Sequence, residues 1–147
     1  MKIVSMNIRG FGGPTKQIAL KELFSSHNLD IILLQETMCD HLTALRFSSL
    51  MKPSYEFCAI DALGLSRGTL STWNPCLVRC KAYLSFAGIL LHARFKALDS
   101  VFSLVNCYGP YANRTTFWDS VVAGGIFYFP NLILAGDLNF TTSALEI

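Results

Sequence analysis

From Cys76 to Ala97 the chain alternates twice between apolar and polar residues, with one short break. Cys76, Val78, Cys80, Ala82 and Leu84 alternate with Leu77, Arg79, Lys81, Tyr83 and Ser85. Ile89, Leu91, Ala93, Phe95 and Ala97 then alternate with Leu90, His92, Arg94 and Lys96, and Phe86-Ala87-Gly88 separates the two runs. A period of two puts successive side chains on opposite faces of a strand, so the stretch reads as a hairpin and the sheet must contain antiparallel pairs. "VFSLVNCY" (Val101 to Tyr108) continues the meander.

The flanking segments supply helices and buried strands. "KIVSMNI" (Lys2 to Ile8) reads as a first strand, followed by a loop of Gly10, Gly12, Gly13 and Pro14, with Pro14 placed to start a helix. "TKQIALKELFSS" is amphipathic, with Ile18, Ala19 and Leu23, and Leu20 and Phe24, at helical spacing. "DIILLQE" (Asp30 to Glu36) has the length of a buried strand, and Asp40 is placed to cap a helix running to about Met51. Asn113 is a candidate cap for a helix in "NRTTFWDSVVA", and "NLILAG" returns as a buried strand. Antiparallel pairs with helices over the outer faces predict a layered α/β sandwich. No linker, repeat or low-complexity tract divides the chain, so 1–147 reads as one domain.

Composition narrows the class. Apolar residues are 52% and charged residues 15%, ample for a core and too apolar for disorder. The mean hydropathy of +0.40 raises the question of a membrane. The longest uncharged run, Ser120 to Gly136, is interrupted by Gly124-Gly125 and Pro130-Asn131, so it reads as helix end, turn and strand rather than a span. The N-terminus has no apolar block of signal-peptide length. Five cysteines without metal spacing suggest a reducing, intracellular setting, nuclear or cytoplasmic. Cys76 and Cys80 read as core, sharing a face with Val78, Ala82 and Leu84. A net charge of +2 does not by itself announce nucleic acid.

The polar residues that matter stand at strand ends. The first strand ends at Asn7, the second at Glu36, the meander at Tyr108, and the last at Asp137 and Asn139. Any one of these alone is an ordinary turn or cap residue. Together they mark the rim where layered α/β folds build sites, because rigid strands fix the groups and loops admit the ligand. Carboxylates and carboxamides are hard oxygen donors, suited to Mg²⁺ or Mn²⁺ and poor for zinc. His27 and His41 read as helix-surface residues, and His92 shares a polar face with Arg94 and Lys96. Gly10-x-Gly12-x-x-Thr15 imitates a dinucleotide fingerprint. However, Thr15 stands for the third glycine, Pro14 lies inside the turn, and the later strands alternate as antiparallel ribbons.

"SMNIRG" (Ser5 to Gly10), "LLQET" (Leu33 to Thr37), "SRGTLSTWNP" (Ser66 to Pro75), "NCYGP" (Asn106 to Pro110) and "AGDLNF" (Ala135 to Phe140) together resemble the endonuclease/exonuclease/phosphatase superfamily, the deoxyribonuclease I-like fold. The nearest flavour is the endonuclease domain of plant non-LTR retrotransposons. The resemblance implies a four-layer α/β/β/α sandwich that hydrolyses phosphodiesters, DNA above all, with Mg²⁺ or Mn²⁺. By matching motif it implies that Glu36 is the principal metal carboxylate with Asn7 beside it, and that Tyr108 contacts the scissile phosphate. It further implies that Asp137 orients or deprotonates the attacking water and that Asn139 holds phosphoryl oxygens. Arg67 and Met6 depart from the usual glycine and tryptophan. Members of the family continue beyond this point with further strands and an Asp-His pair. The resemblance therefore implies a C-terminally truncated domain with an open sheet edge, prone to aggregate, and impaired turnover by this chain alone. Phosphatase or small-substrate phosphodiesterase activity, or a non-catalytic remnant, are the alternatives left open.

Overall fold

A computed structural model of the chain describes residues 1–40, 43–45, 55–63, 66–98 and 100–139. The element order is β1 (Ile3–Asn7), α1 (Pro14–His27), β2 (Ile31–Gln35), β3 (Glu56–Leu63), β4 (Ser66–Trp73), β5 (Val78–Ser85), β6 (Gly88–Phe95), β7 (Val101–Tyr108), α2 (Arg114–Ala123), a 3₁₀ turn (Ile126–Tyr128) and β8 (Leu132–Asp137). These strands form two sheets of four, ordered β1-β2-β4-β3 and β5-β6-β7-β8. Each sheet is mixed. β1 and β2 are parallel, joined through α1, and β7 and β8 are parallel, joined through α2; the remaining pairs are antiparallel.

Two-residue periodicity builds the layers. On β2, Ile32 and Leu34 point outward against Leu20 and Phe24 of α1, together with Ile8, Phe11 and Leu70. Ile31 and Leu33 point inward to meet Val78, Ile89, Leu91, Ala93, Phe95 and Leu104 of the second sheet. Val105 and Cys107 face away from that inner core and pack with Val121 of α2 and Ile126. Helix, sheet, sheet and helix therefore stack as four layers. β2 is covered on both faces and buried along its whole length, which is why it reads as a continuous apolar run.

Several expectations are corrected. Of the two candidate stripes on α1, Leu20 and Phe24 are buried, whereas Ile18 is 57% and Leu23 38% exposed. Cys76 is exposed and precedes β5, and Leu84 is 66% exposed, so neither joins the core. Cys80 and Ala82 do pack against it. Leu90, placed with the polar face by alternation, is buried under α2. Asn113 precedes α2 in a left-handed conformation without a side-chain capping bond. Asp40 accepts the Thr43 N–H at 2.8 Å, as a cap should; the rest of the helix expected to Met51 lies outside the described residues, as does His41. No helix among the described residues is long and apolar enough to cross a membrane.

One glycine explains part of the "AGDLN" motif. Gly136 opposes Cys107 in the parallel β7–β8 register. Its φ is +137°, and a Cβ there would overlap the Cys107 carbonyl oxygen. Only glycine lets β8 approach closely enough to bring Asp137 level with Tyr108. Gly136→Ala is expected to destabilise the fold by about 2 kcal/mol or more, read as a lower midpoint in urea unfolding.

Candidate functional site

The two parallel pairs end at the same rim. Asn7 is in register with Gln35 on β1–β2, and Tyr108 with Asp137 on β7–β8. The sheets face one another, so four strand ends converge, and hydrogen bonds cross between them. Asn7 Nδ2 donates to Asp137 Oδ2 at 2.7 Å. The Tyr108 hydroxyl donates to Glu36 Oε1 at 2.7 Å. Asn139 donates its backbone N–H to Asp137 Oδ1 at 3.3 Å, and its carboxamide to the Gly109 carbonyl. Asn7, Glu36, Tyr108, Asp137 and Asn139 are thus brought to one place.

The backbone holds Glu36 in an unusual posture. Its φ is +50°, and Arg9, Met38 and Asn139 around it also have positive φ. A left-handed conformation costs a non-glycine residue of order 1 kcal/mol or more and persists only where the surroundings over-determine it. Here they do. The Gly10 N–H donates to the Glu36 carbonyl, the Phe11 N–H to Thr37, and the Thr37 N–H to Gly68. The loop is clamped from both sides, and Glu36 is 8% exposed.

Charge is tuned to match. The Tyr108 hydroxyl holds the Glu36 carboxyl below its ordinary value against the opposing effect of burial. The Asn7 carboxamide, the Arg9 guanidinium and the Tyr111 hydroxyl act in the same direction. Burial, then the Glu36 bond, pushes the Tyr108 phenol upward, so it stays protonated and keeps donating. A depressed folded-state value contributes stability above the unfolded carboxyl value, lost as pH falls through the folded one. Tyr108→Phe removes the largest lowering influence. The Glu36 midpoint should therefore move up toward the ordinary carboxyl value, and acid unfolding should begin at higher pH. Carboxyl titration by NMR on both proteins checks the sign.

Beneath the rim lies a buried polar bridge that the motifs did not single out. Gln35 Nε2 donates to Asn106 Oδ1 at 2.6 Å and to Ser5 Oγ at 3.1 Å. Asn106 Nδ2 faces the Leu70 carbonyl and Ser71 Oγ, each at 3.1 Å, and the Leu34 carbonyl at 3.3 Å. Gln35 precedes Glu36 and Asn106 is two residues before Tyr108, so the bridge ties the sheets together where the site begins. The available signal was periodicity: both amides fall at inward positions of otherwise apolar strands. Clefts flank the rim on either side. One of about 570 Å³ is bordered by Arg9, Thr37, Met38 and Asp40; another of about 280 Å³ is bordered by Tyr108, Pro110, Phe86 and Phe117. Both described histidines lie elsewhere, His27 at the end of α1 and His92 against Ser103, Tyr83 and Phe129.

No group of three or more His, Cys, Asp or Glu side chains converges among the described residues. What the rim offers is a pair of carboxylates with interleaved carboxamides, an oxygen set that fits a hard cation keeping several of its own waters.

Two mixed sheets stacked between helices, with polar strand ends gathered at one rim, define an α/β sandwich with its candidate site at the sheet edge. Residues 4–146 match the Endonuclease/Exonuclease/phosphatase family, and the chain belongs to it. No curated protein sequence matches significantly. Among solved structures, the fold is similar to a humanized D. rerio TDP2 (TM-score 0.71, 17% identity, covering 98% of this chain and 64% of that one). It is also similar to the Xenopus laevis APE2 catalytic domain (0.70, 19%, 99% and 60%) and to a mannosyl-6-phosphatase from Bacteroides thetaiotaomicron (0.71, 14%, 97% and 67%). The chain thus spans 64% of the TDP2 structure and 60% of the APE2 domain.

Proposed function

We propose that this chain is a divalent-metal-dependent phosphodiesterase module acting on DNA, of the endonuclease type carried by plant non-LTR retrotransposons. The observation that carries the reading is the pair of cross-sheet contacts, Asn7 to Asp137 and Tyr108 to Glu36. The flavour within the family rests on "NIRG", "LSTWNP" and "YGP". The AP endonucleases of Leishmania major and Archaeoglobus fulgidus, which share the fold, support a nucleic-acid partner, and the mannosyl-6-phosphatase keeps a phosphate monoester as the second reading.

Glu36 and Asn7 would hold Mg²⁺ or Mn²⁺, which when bound supplies charge neutralisation at the phosphoryl oxygens. Asp137 is fixed by two donors, the Asn7 amide and the Asn139 N–H, so its carboxylate has a defined direction in which to orient a water and receive its proton. The Asn139 carboxamide rests one N–H on Gly109 and keeps its second for phosphoryl oxygens as negative charge develops, and the Tyr108 hydroxyl, whose one proton goes to Glu36, would become a donor to them where a cation takes that carboxylate oxygen.

The test is nicking of supercoiled plasmid with Mg²⁺ and then Mn²⁺. Positioned acid–base groups each contribute roughly 10²- to 10⁴-fold, and neither described histidine is at the rim, so slow nicking is expected. It should require metal and disappear in Asp137→Ala. Hydrolysis of a sugar phosphate without nicking would favour the phosphatase reading. Nicking unchanged in Asp137→Ala would overturn the site.

A further inference from the structure

The modest net charge conceals a segregation. Between Asp61 and Asp99 the sequence contains no acidic residue, yet it holds Arg67, Arg79, Lys81, Arg94 and Lys96. The fold gathers the last four. Arg79 stands directly opposite Arg94 across the β5–β6 pair, and Lys81 opposite His92. Val78, Cys80, Ala93 and Phe95 point into the inter-sheet core, so these cations occupy the outer face of the second sheet, and Arg79, Lys81, Arg94 and Lys96 are exposed. α2 covers this face only over Leu90, Val105 and Cys107 and leaves the cationic half bare.

Like charges placed directly opposite one another on neighbouring strands destabilise a sheet. Among the described residues the only ion pair is between the N-terminus and Asp30, so no described carboxylate pairs with these cations. Arg79, Arg94 and Lys96 border a concavity of about 440 Å³. At the other end of the row, Tyr83 is 47% exposed. Its ring meets His92 edge-on at 5.4 Å, and His92 in turn meets Phe129 at 5.0 Å. Cations at every second residue of an extended strand, ending in an aromatic ring, match a polyanionic chain whose units can also stack.

We propose that the outer face of the β5–β6 hairpin is a second nucleic-acid contact, binding a single strand by its phosphates along Arg79, Lys81, Arg94 and Lys96 and stacking a base on Tyr83. An exposed ring at the end of a cationic row selects an unpaired strand over a duplex, whose bases are already stacked. The cationic end of this surface is remote from the rim: β7 runs from Val101, opposite Arg94, to Tyr108, seven steps of about 3.3 Å, or roughly 23 Å, whereas Tyr83, level with Leu90 and Val105, stands about three such steps from Tyr108 along the strands, on the outer face.

The test is fluorescence anisotropy of a labelled short oligothymidylate with the 147-residue chain, in EDTA so that the rim takes no part, over a salt series. Wild type should bind with affinity falling as salt rises, with a log–log slope of about −2 to −3 for three to four phosphates on a single strand. Arg94→Glu should weaken binding at least tenfold and flatten the slope. Its melting temperature should equal or exceed that of wild type, because an opposite-charged pair replaces a like-charged one. Tyr83→Ala should weaken binding with the slope unchanged, and Lys21→Glu, the same kind of charge reversal as Arg94→Glu on the exposed side of α1, should bind as wild type does. Failure of wild type to bind, equal binding by Arg94→Glu, or equal binding of heparin or anionic vesicles with no effect of Tyr83→Ala would each overturn the proposal. None of these outcomes bears on whether the rim hydrolyses phosphoesters.

Discussion

Asn106→Leu is expected to destabilise the fold by about 3 to 5 kcal/mol. Asn106 is fully buried, at 0% exposure, and Gln35 nearly so at 1%. The substitution strips an acceptor from the Gln35 amide and a donor from the Leu70 carbonyl and Ser71 Oγ. Each buried group so orphaned costs about 1 to 3 kcal/mol, because desolvation is no longer offset. In urea the midpoint should fall with the slope unchanged. Pairing Asn106→Leu with Gln35→Met removes both partners, and replacement of a whole polar pair by apolar groups is far less costly. The double variant should therefore be more stable than the sum of the singles predicts. Strict additivity would mean that the two amides are not coupled.

That bridge also shows where sequence reading reached its limit. β1, β2, α1, β6, β7 and β8 were legible because burial there is apolar and periodic. β3 and β4 were not. β4 buries Thr69, Ser71 and Thr72 at 5%, 0% and 0% exposure, residues that resemble a loop by composition. Two of the three are satisfied by distant partners: Thr72 donates to the Glu56 carbonyl and Ser71 accepts from Asn106, whereas the Thr69 hydroxyl has no hydrogen-bond partner among the described residues. Such partners are distant in sequence and leave no local signal. Leu90 failed for a related reason, since α2 covers half of a face that alternation assigns to solvent.

At the rim, the strand ends announced Asn7, Glu36, Tyr108, Asp137 and Asn139 because each polar residue interrupts an apolar run. Their mutual geometry was not legible. That Asn7 reaches Asp137 rather than standing alone, and that Tyr108 depresses the Glu36 carboxyl, follows from the pairing of two sheets. Tyr111, 3.5 Å from Glu36 and 65% exposed, entered the neighbourhood only through the loop after Tyr108.

The central claim is that this rim binds a hard divalent cation through Glu36, and titration calorimetry with Mn²⁺ tests it most directly. Mn²⁺ suits the same oxygen donors as Mg²⁺ and stands at the weak end of the transition-metal affinity order, so adventitious tight sites are few. Wild type should bind a single Mn²⁺ weakly. Glu36→Gln preserves shape while removing the charge, and should weaken binding by about 10- to 100-fold, since changes even to groups outside the metal's direct ligands reach that size. Indistinguishable isotherms for wild type and Glu36→Gln would contradict the assignment of Glu36 and, with it, the metal-dependent reading of the whole site.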